Sequence, residues 1–279
     1  MIPSASDLPA LVAELAAWQR DDAALQLHPG DLGWQQRLGA EALAGSLRTW
    51  HRDGALVALG MLDGPVLRIA IEPHLQVDVA TAEAIAADLA DGLAEASSIE
   101  ASTDAVLHDV LAARGWTPDE AWQPLRRDLA APVPPLADGL RIELVDAATA
   151  DERVAVHRAS FDGGSFDTDA WHAMAAGPAY ADARCLLVRD AGGTAVAAAT
   201  VWSAGAGRPG VLEPLGAHRD HRGRGLGTAI AVASAIVLRD LGASSALVCT
   251  PSSNVRGIAT YRSAGFADLP ERTDRRRPA

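Results

Sequence analysis

Arg222-Gly223-Arg224-Gly225-Leu226-Gly227 lies between a strand-like run, Val211-Leu-Glu-Pro-Leu-Gly-Ala-His218, and an alanine-rich run, Thr228 to Leu241, whose apolar residues recur at helical spacing. A glycine-rich loop in that position lets successive backbone N–H groups converge with no Cβ in the way. Those donors, with the positive end of the following helix, form a seat for a pyrophosphate that needs neither metal nor lysine. Arg222 and Arg224 add charge-assisted hydrogen bonds. Two other glycine-loop folds are excluded: no Gly-Lys-Ser/Thr completes a P-loop, and the spacing is not the GxGxxG of a dinucleotide fold. An ordinary turn between strand and helix is the remaining alternative.

Downstream, the helical run closes at Leu241-Gly242, and an apolar strand, Ala246-Leu-Val-Cys-Thr250, follows. Asn254 then opens a second helical run ending in Tyr261-Arg-Ser-Ala-Gly265-Phe266. This order resembles the GNAT superfamily of acyl-CoA-dependent N-acyltransferases. In that family an R/Q-x-x-G-x-G/A loop binds the pyrophosphate of coenzyme A, and Arg222, Gly225 and Gly227 stand at its fixed positions. The family's later Asn, and its Tyr four residues before a Gly-Phe, match Asn254, Tyr261, Gly265 and Phe266. The resemblance is specific over residues 185 to 268 and rests on pattern alone upstream. It implies a site for acetyl-CoA, as co-substrate, built by Ala217, His218, Arg222, Gly223, Arg224, Gly225, Leu226, Gly227, Thr228 and Asn254. The implied activity is transfer of an acetyl group to a primary amine of a small molecule or peptide by direct attack.

Length and composition agree with that reading. A chain of 279 residues suits two domains of modest size. A net charge of −12 disfavours nucleic acid and is compatible with a cationic amine. All the Lys+Arg count is arginine, which with the abundance of alanine reads as a genomic bias rather than as chemistry. Cys185 and Cys249 fall in apolar runs, so buried thiols are expected and a disulfide framework is not. The sequence carries neither a leader pattern nor a membrane-length apolar run, and a cytoplasmic monomer or homodimer without metal is expected. A hydrolase is set aside because no Gly-x-Ser-x-Gly elbow and no paired Cys and His occur in a suitable context.

An internal repeat gives the domain organisation. Ala70-Ile-Glu72-Pro73-His74, Thr81 to Leu93 and Ala96 to Ser102 parallel Val211-Leu-Glu213-Pro214-Leu215, Thr228 to Leu241 and Ala243 to Cys249. Each half then ends in a helix closed by Gly and an aromatic residue, Gly115-Trp116 and Gly265-Phe266. Aligned on the Glu-Pro pairs, the first half is six residues shorter before its helix. Its connection there, His74-Leu-Gln-Val-Asp-Val-Ala80, has neither glycine nor arginine, and Leu111 stands where the second half has Tyr261. The expectation is two GNAT-like domains in tandem, each an α/β unit with a mixed sheet flanked by helices: a degenerate one without a coenzyme loop over 1–130, a proline-rich linker over 131–139, and an acetyl-CoA-binding catalytic one over 140–279. Chance similarity between alanine-rich segments is the alternative to the repeat.

The resemblance makes Tyr261 the acid that protonates the departing thiolate and Glu213, on the strand before the loop, the base that takes the amine proton. Regular alternation sets Glu213 on one face with Leu215 and Ala217, unless a bulge at Pro214 rotates it away. Glu72, in the matching Glu-Pro pair, raises the alternative of a structural role for Glu213. A backbone N–H at Ala217 suits the thioester carbonyl. His218 and His221 flank the loop as possible proton relays, Arg256 is either a phosphate contact or a solvated helix residue, and Asn254 is also a natural helix N-cap. Acceptor recognition falls to 162–171, with Asp162, Asp167 and Asp169, to Tyr180, and to surfaces of the first half such as the turn and helix of His28 to Trp34. The tail Arg272 to Arg277 is expected to be exposed or an end strand. Alternatives to the amine acetyltransferase are a non-catalytic acyl-CoA sensor or scaffold, a mycothiol-synthase-like tandem enzyme, and an antibiotic acetyltransferase.

Overall fold

The computed structural model describes residues 1–91, 93, 95–161 and 165–278. Helix α1 (Leu8–Ala17) buries Leu8, Leu11 and Leu15, three residues at helical spacing. Pro29 starts α2 (Pro29–Gln35), where its missing N–H costs nothing. α3 (Ala40–Ser46) leads into an antiparallel meander of β1 (Leu47–Arg52), β2 (Ala55–Asp63) and β3 (Val66–Ile71). α4 (Val79–Asp91) carries the chain back to β4 (Ser98–Glu100), parallel to β3, and α5 (Leu107–Ala113) precedes β5 (Thr117–Asp128). Residues 129–140 have no regular structure.

The pattern then recurs. β6 (Arg141–Leu144), α6 (Ala150–Ser160) and α7 (Thr168–Ala175) precede a second meander of β7 (Ala183–Arg189), β8 (Ala195–Ser203) and β9 (Gly210–Ala217). α8 (Leu226–Asp240) connects β9 to the parallel β10 (Ser245–Pro251), and α9 (Val255–Ser263) leads to β11 (Ala267–Asp268) and β12 (Arg272–Arg276). The strands form one mixed sheet in the order β1-β2-β3-β4-β12-β5-β10-β9-β8-β7-β6, with β11 also on β5. Helices cover both faces. In the second half, Ile230 and Leu238 of α8 pack with Val196, Val201 and Leu212 on one face, while Val154, Trp171, Trp202 and Val211 form the core under α6 and α7 on the other. Fully burying a side chain such as Ile230 contributes about 1.5–3 kcal/mol.

The two halves exchange strands at the centre of this sheet. β5, which follows the helices of the first half, runs antiparallel to β10 of the second over Ser245↔Asp128 to Pro251↔Trp122. β12, the last strand of the second half, lies between β4 and β5. The arginine-rich tail is therefore the end strand of the chain, but set inside the sheet, with Arg276 exposed and Arg272 buried. Arg272 is only 2% exposed and donates to Glu100 at 3.0 Å, and Arg276 pairs with Asp119. A charge cluster looks solvated in sequence when its carboxylate partners lie far back along the chain.

The repeat also has a different register from the one the Glu-Pro pairs suggest. Glu72 precedes a single 3-10 turn (Pro73–Leu75) and accepts the N–H of His74, and His218 does the same before Arg219–His221 with the N–H of Asp220. Glu72 is thus the counterpart of His218, and the connection to the helix runs from 72 to 79 in one half and from 218 to 226 in the other. It is one residue shorter, not six. The shared Glu-Pro pair is a coincidence, and Glu72 carries no message about Glu213.

Candidate active site

The glycine loop ends on the first turn of α8, with Gly223 at φ 76° and Gly225 at φ 74°. Both values lie in the left-handed region that disfavours other residues, and no atom comes within 4 Å of where a Cβ would stand on either. Gly225 is the N-cap and has no side chain to accept the helix's first N–H groups. These donors and the helix dipole therefore face open space, an arrangement that suits phosphate. A cleft of about 530 Å³ lies there, lined by Ala217, Arg222, Gly223, Gly225 to Thr228, Arg256, Gly257 and Thr260. Gly227 lets α9 approach: a Cβ on it would meet Thr260 Cγ2 at 3.0 Å.

Behind the cleft the sheet opens. The parallel ladder of β9 and β10 ends at Val211 and Leu247, and the strands separate beyond that point. A small cavity of about 30 Å³ lies at the apex, lined by Leu212, Glu213, Val248 and Cys249 and, from the first half, by His28, Asp31, Arg68 and Glu100. A chain entering between the strands from the cleft would reach Glu213.

Glu213 sits in a β-bulge. Ala199 pairs with Leu215 and Val201 with Leu212, so Glu213 and Pro214 together oppose the single residue Thr200. The extra residue inverts the alternation: Leu212, Leu215 and Ala217 all pack on the α8 side, whereas Val211 packs on the α6 side. Glu213 follows Val211 and does not share the face of Leu215 and Ala217: the bulge at Pro214, which the sequence left open as the exception to regular alternation, is present. Its side chain is exposed, and its carbonyl accepts Trp202 Nε1–H at 2.7 Å. Its negative charge reaches Asp31, Arg68 and Arg37 of the first half and Tyr261 of α9.

Tyr261 packs against the α8-side core and lies edge-on to Phe266 at 5.9 Å. Burial pushes its phenol up to about 12, with smaller contributions from the charges of Glu213 and Cys249, so it holds its proton throughout the neutral range. The other sequence candidates divide. Arg222 lines the cleft and donates to the Ser160 carbonyl at 3.3 Å. Arg224 is held by His221 Nδ1 at 2.9 Å, and His218 Nδ1 accepts the Asp220 N–H. Asn254 spends both ends locally, accepting Gly257 N–H at 3.1 Å and donating to Thr250 Oγ1 at 2.8 Å. On the acceptor side, Asp167 caps α7 through Ala170 N–H, Asp169 lies in the first turn of α7, and Asp162 lies outside the described residues.

The stretch His28 to Trp34, singled out in the sequence, reaches into this region, and the first half adds a charge chain that the sequence did not show. Gly30 and Gly33 of α2 lie against the Trp202 indole, where a Cβ would come within 2.6 and 2.2 Å of ring carbons. Trp34 packs against His157 and Phe166 at 5.6 and 5.1 Å. Beside Glu213 runs a buried chain of alternating charge: Asp31 to Arg68 at 2.8 Å, Arg68 to Glu100 at 3.0 Å, Glu100 to Arg272 at 3.0 Å and Arg272 to Asp274 at 3.2 Å. Two cations serve three carboxylates. Burial raises Asp31 and Asp274, each at an end with one cationic neighbour, to about 7, whereas Arg272 and Arg68 together hold Glu100 below its ordinary value despite burial. Its one sequence signal was the tail arginines.

Residues 148–266 match the model of the acetyltransferase (GNAT) family. This part of the chain is a GNAT domain, and the mixed sheet with its glycine loop has the family's fold. Among solved structures, the whole chain is similar to an acetyltransferase from the GNAT family of Colwellia psychrerythraea (14% identity, 99% of this chain and 97% of that one, TM-score 0.62). It is similar also to a GCN5-related N-acetyltransferase from Kribbella flavida (20% identity, 96% of each chain, TM-score 0.59). A third is a tandem GNAT protein from the clavulanic acid biosynthesis pathway, solved without AcCoA (15% identity, 98% of this chain and 95% of that one, TM-score 0.59). At these identities the likeness is one of fold. No curated protein matches the chain in sequence. Among the described residues there is no cluster of His, Cys, Asp and Glu able to hold a metal, and no helix long and apolar enough to cross a membrane.

Proposed function

We propose that the protein is an N-acetyltransferase that binds acetyl-CoA in its second half and acetylates an amine directly. The observation that carries this reading is the uncapped, glycine-led N-terminus of α8 at the mouth of the gap between β9 and β10. The pyrophosphate rests on the N–H groups of 225–228, with Arg222 beside it, and the pantetheine arm follows the gap toward Glu213. The amine nitrogen attacks the thioester carbonyl, a C–N bond forms as the C–S bond breaks, and coenzyme A leaves as the thiolate. Glu213 accepts the proton from the incoming ammonium, directly or through water, Tyr261 gives its phenol proton to the sulfur, and the further proton that the nitrogen sheds on becoming an amide restores the phenol through water. Holding the two substrates together supplies most of the acceleration.

The first half, residues 1–130, is on this reading a GNAT-like unit without a coenzyme site, and residues 131–139 join it to the second. Its contribution is to build the acceptor side through α2 and the charge chain. Isothermal titration of acetyl-CoA into the wild type and a Gly225→Glu, Gly227→Glu double variant tests the proposal, together with thiol release on an amine panel. Saturable binding that the variant loses is the expected result. A folded wild type that fails to bind acetyl-CoA would refute it.

A further inference from the structure

Arg153 is a buried charge for which the chemistry above has no use. It lies on α6, 1% exposed, and Nη2 donates to Thr200 Oγ1 at 3.2 Å. Its Nε and Nη1 are buried with no hydrogen-bond partner. Among the described residues no carboxylate pairs with it. Its neighbours are the Phe166 ring, 5.4 Å from the guanidinium carbon, and Cys185, whose Sγ is 3.2 Å from Thr200 Oγ1. Nearby Trp171, edge-on to Tyr180 at 6.3 Å, also has its Nε1 buried without a partner. Burial lowers Arg153 from its ordinary value, partly offset by the Cys185 thiol and the Tyr180 phenol, and a guanidinium with idle donors and no carboxylate is unfavourable in such a place unless an anion joins it.

The position of Thr200 indicates which anion. Thr200 is the single β8 residue that opposes the Glu213–Pro214 bulge, and it faces α6 as Glu213 does. Adjacent strands lie about 4.8 Å apart. An anion on Arg153 beside Thr200 would therefore lie one strand away from the residue proposed to receive the amine's proton. One guanidinium balances one negative charge, and His157, one turn further along α6, is kept neutral at neutral pH by burial and by Arg153 itself. A monoanion fits this balance better than a phosphate dianion.

We propose that Arg153 binds a carboxylate of the acceptor, so that the substrate is an amino-acid-like molecule with its amine at Glu213 and its carboxylate between α6 and β8. This rests on the acetyltransferase reading for the amine, but the anion site itself can be tested without turnover. The first arm measures Tm of the wild type and Arg153→Met in sodium acetate or sodium propionate against sodium chloride at equal ionic strength. The carboxylates should raise the wild-type Tm over chloride and leave the variant unchanged. The second arm compares kcat/KM for matched pairs, alanine with ethylamine, leucine with isoamylamine and phenylalanine with phenethylamine. The wild type should favour the amino acid about 100-fold or more, and Arg153→Met should reduce that ratio to near one while acetyl-CoA affinity is unchanged. Arg153→Lys, which keeps the charge, should retain part of the preference and serves if the Met variant does not fold.

Equal stabilisation by chloride, no stabilisation by carboxylates, or an unchanged ratio in the variant would each overturn the proposal. If no amine in the panel is acetylated, the enzymatic reading fails while the Tm arm still decides the anion site.

Discussion

Asp78 in the first half and Gly225 in the second precede equivalent helices, and only Asp78 supplies an anion of its own. Its carboxylate accepts the N–H of Thr81 at 2.8 Å and its hydroxyl at 2.6 Å, and pairs with Arg52 at 2.7 Å. The helix end that could bind phosphate in α4 is already occupied by a side chain, while in α8 it is open. Gly225→Asp should import the same self-occupation. Titration calorimetry should show acetyl-CoA affinity falling at least 100-fold, with about 1 kcal/mol of stability lost to the left-handed backbone at that position. Asp78→Ala should cost about 1 kcal/mol as a lost cap and leave acetyl-CoA binding unaltered.

Tyr261→Phe should retain the fold and the coenzyme affinity but lower kcat by about 100-fold or more, the usual scale for a lost general acid. Single-turnover measurements would separate this from slowed product release. An unchanged kcat would remove Tyr261 from the chemistry.

Local features of this chain were legible in its sequence. The helices of 226–240 and 255–263, the meander and the glycine loop each depend on neighbours within a few residues. Two features were not settled by local reading, the first left open at Pro214 and the second missed. A single inserted residue at Glu213–Pro214 inverts which face Leu215 and Ala217 occupy, and alternation cannot show whether a proline bulges the strand. The pairing of Arg272 with Glu100 joins residues 172 apart in sequence, so the tail looked solvated although it is central. Asp78 was visible as Asp-x-x-Thr, a capping pattern, but alignment on the Glu-Pro pairs drew attention away from it.

In the charge chain the middle and the ends should respond in opposite ways. Glu100→Gln leaves Arg68 and Arg272 short of a shared partner and should cost about 3–5 kcal/mol. Asp274→Asn removes the excess negative charge and should be tolerated. The Asp274 carboxyl titrates at about 7 in the fold and has an ordinary value of 3.8, so the stability it contributes is present at low pH and lost as pH rises through 7. Denaturant melts at pH 6 and pH 8 should therefore show a smaller alkaline loss in Asp274→Asn, by about 1 kcal/mol.

His157 works in the other direction. Burial, then the Arg153 and Arg37 charges, lower it from 6.5 to about 4. A depressed folded-state value means stability that is full above pH 6.5 and lost as pH falls toward 4, by on the order of 3 kcal/mol. His157→Phe keeps a ring against Trp34 and Phe166 and should flatten that acid limb. Equal acid sensitivity in the two proteins would show that other groups set it.

The exchange of β5 and β12 has a consequence for how the chain emerges from the ribosome. The edge of β4 is not covered until residues 272–276 are made, while β5 gains its first neighbour only with β10 and its second only with β12. During synthesis the first half holds an unpaired strand edge for most of the length of the second, a state prone to association with other chains. Arginine side chains along β12 and the acidic residues Glu100 and Asp119 that receive them give that late closure a charge-selected partner, so the final strand completes its own molecule in preference to a neighbour's apolar edge.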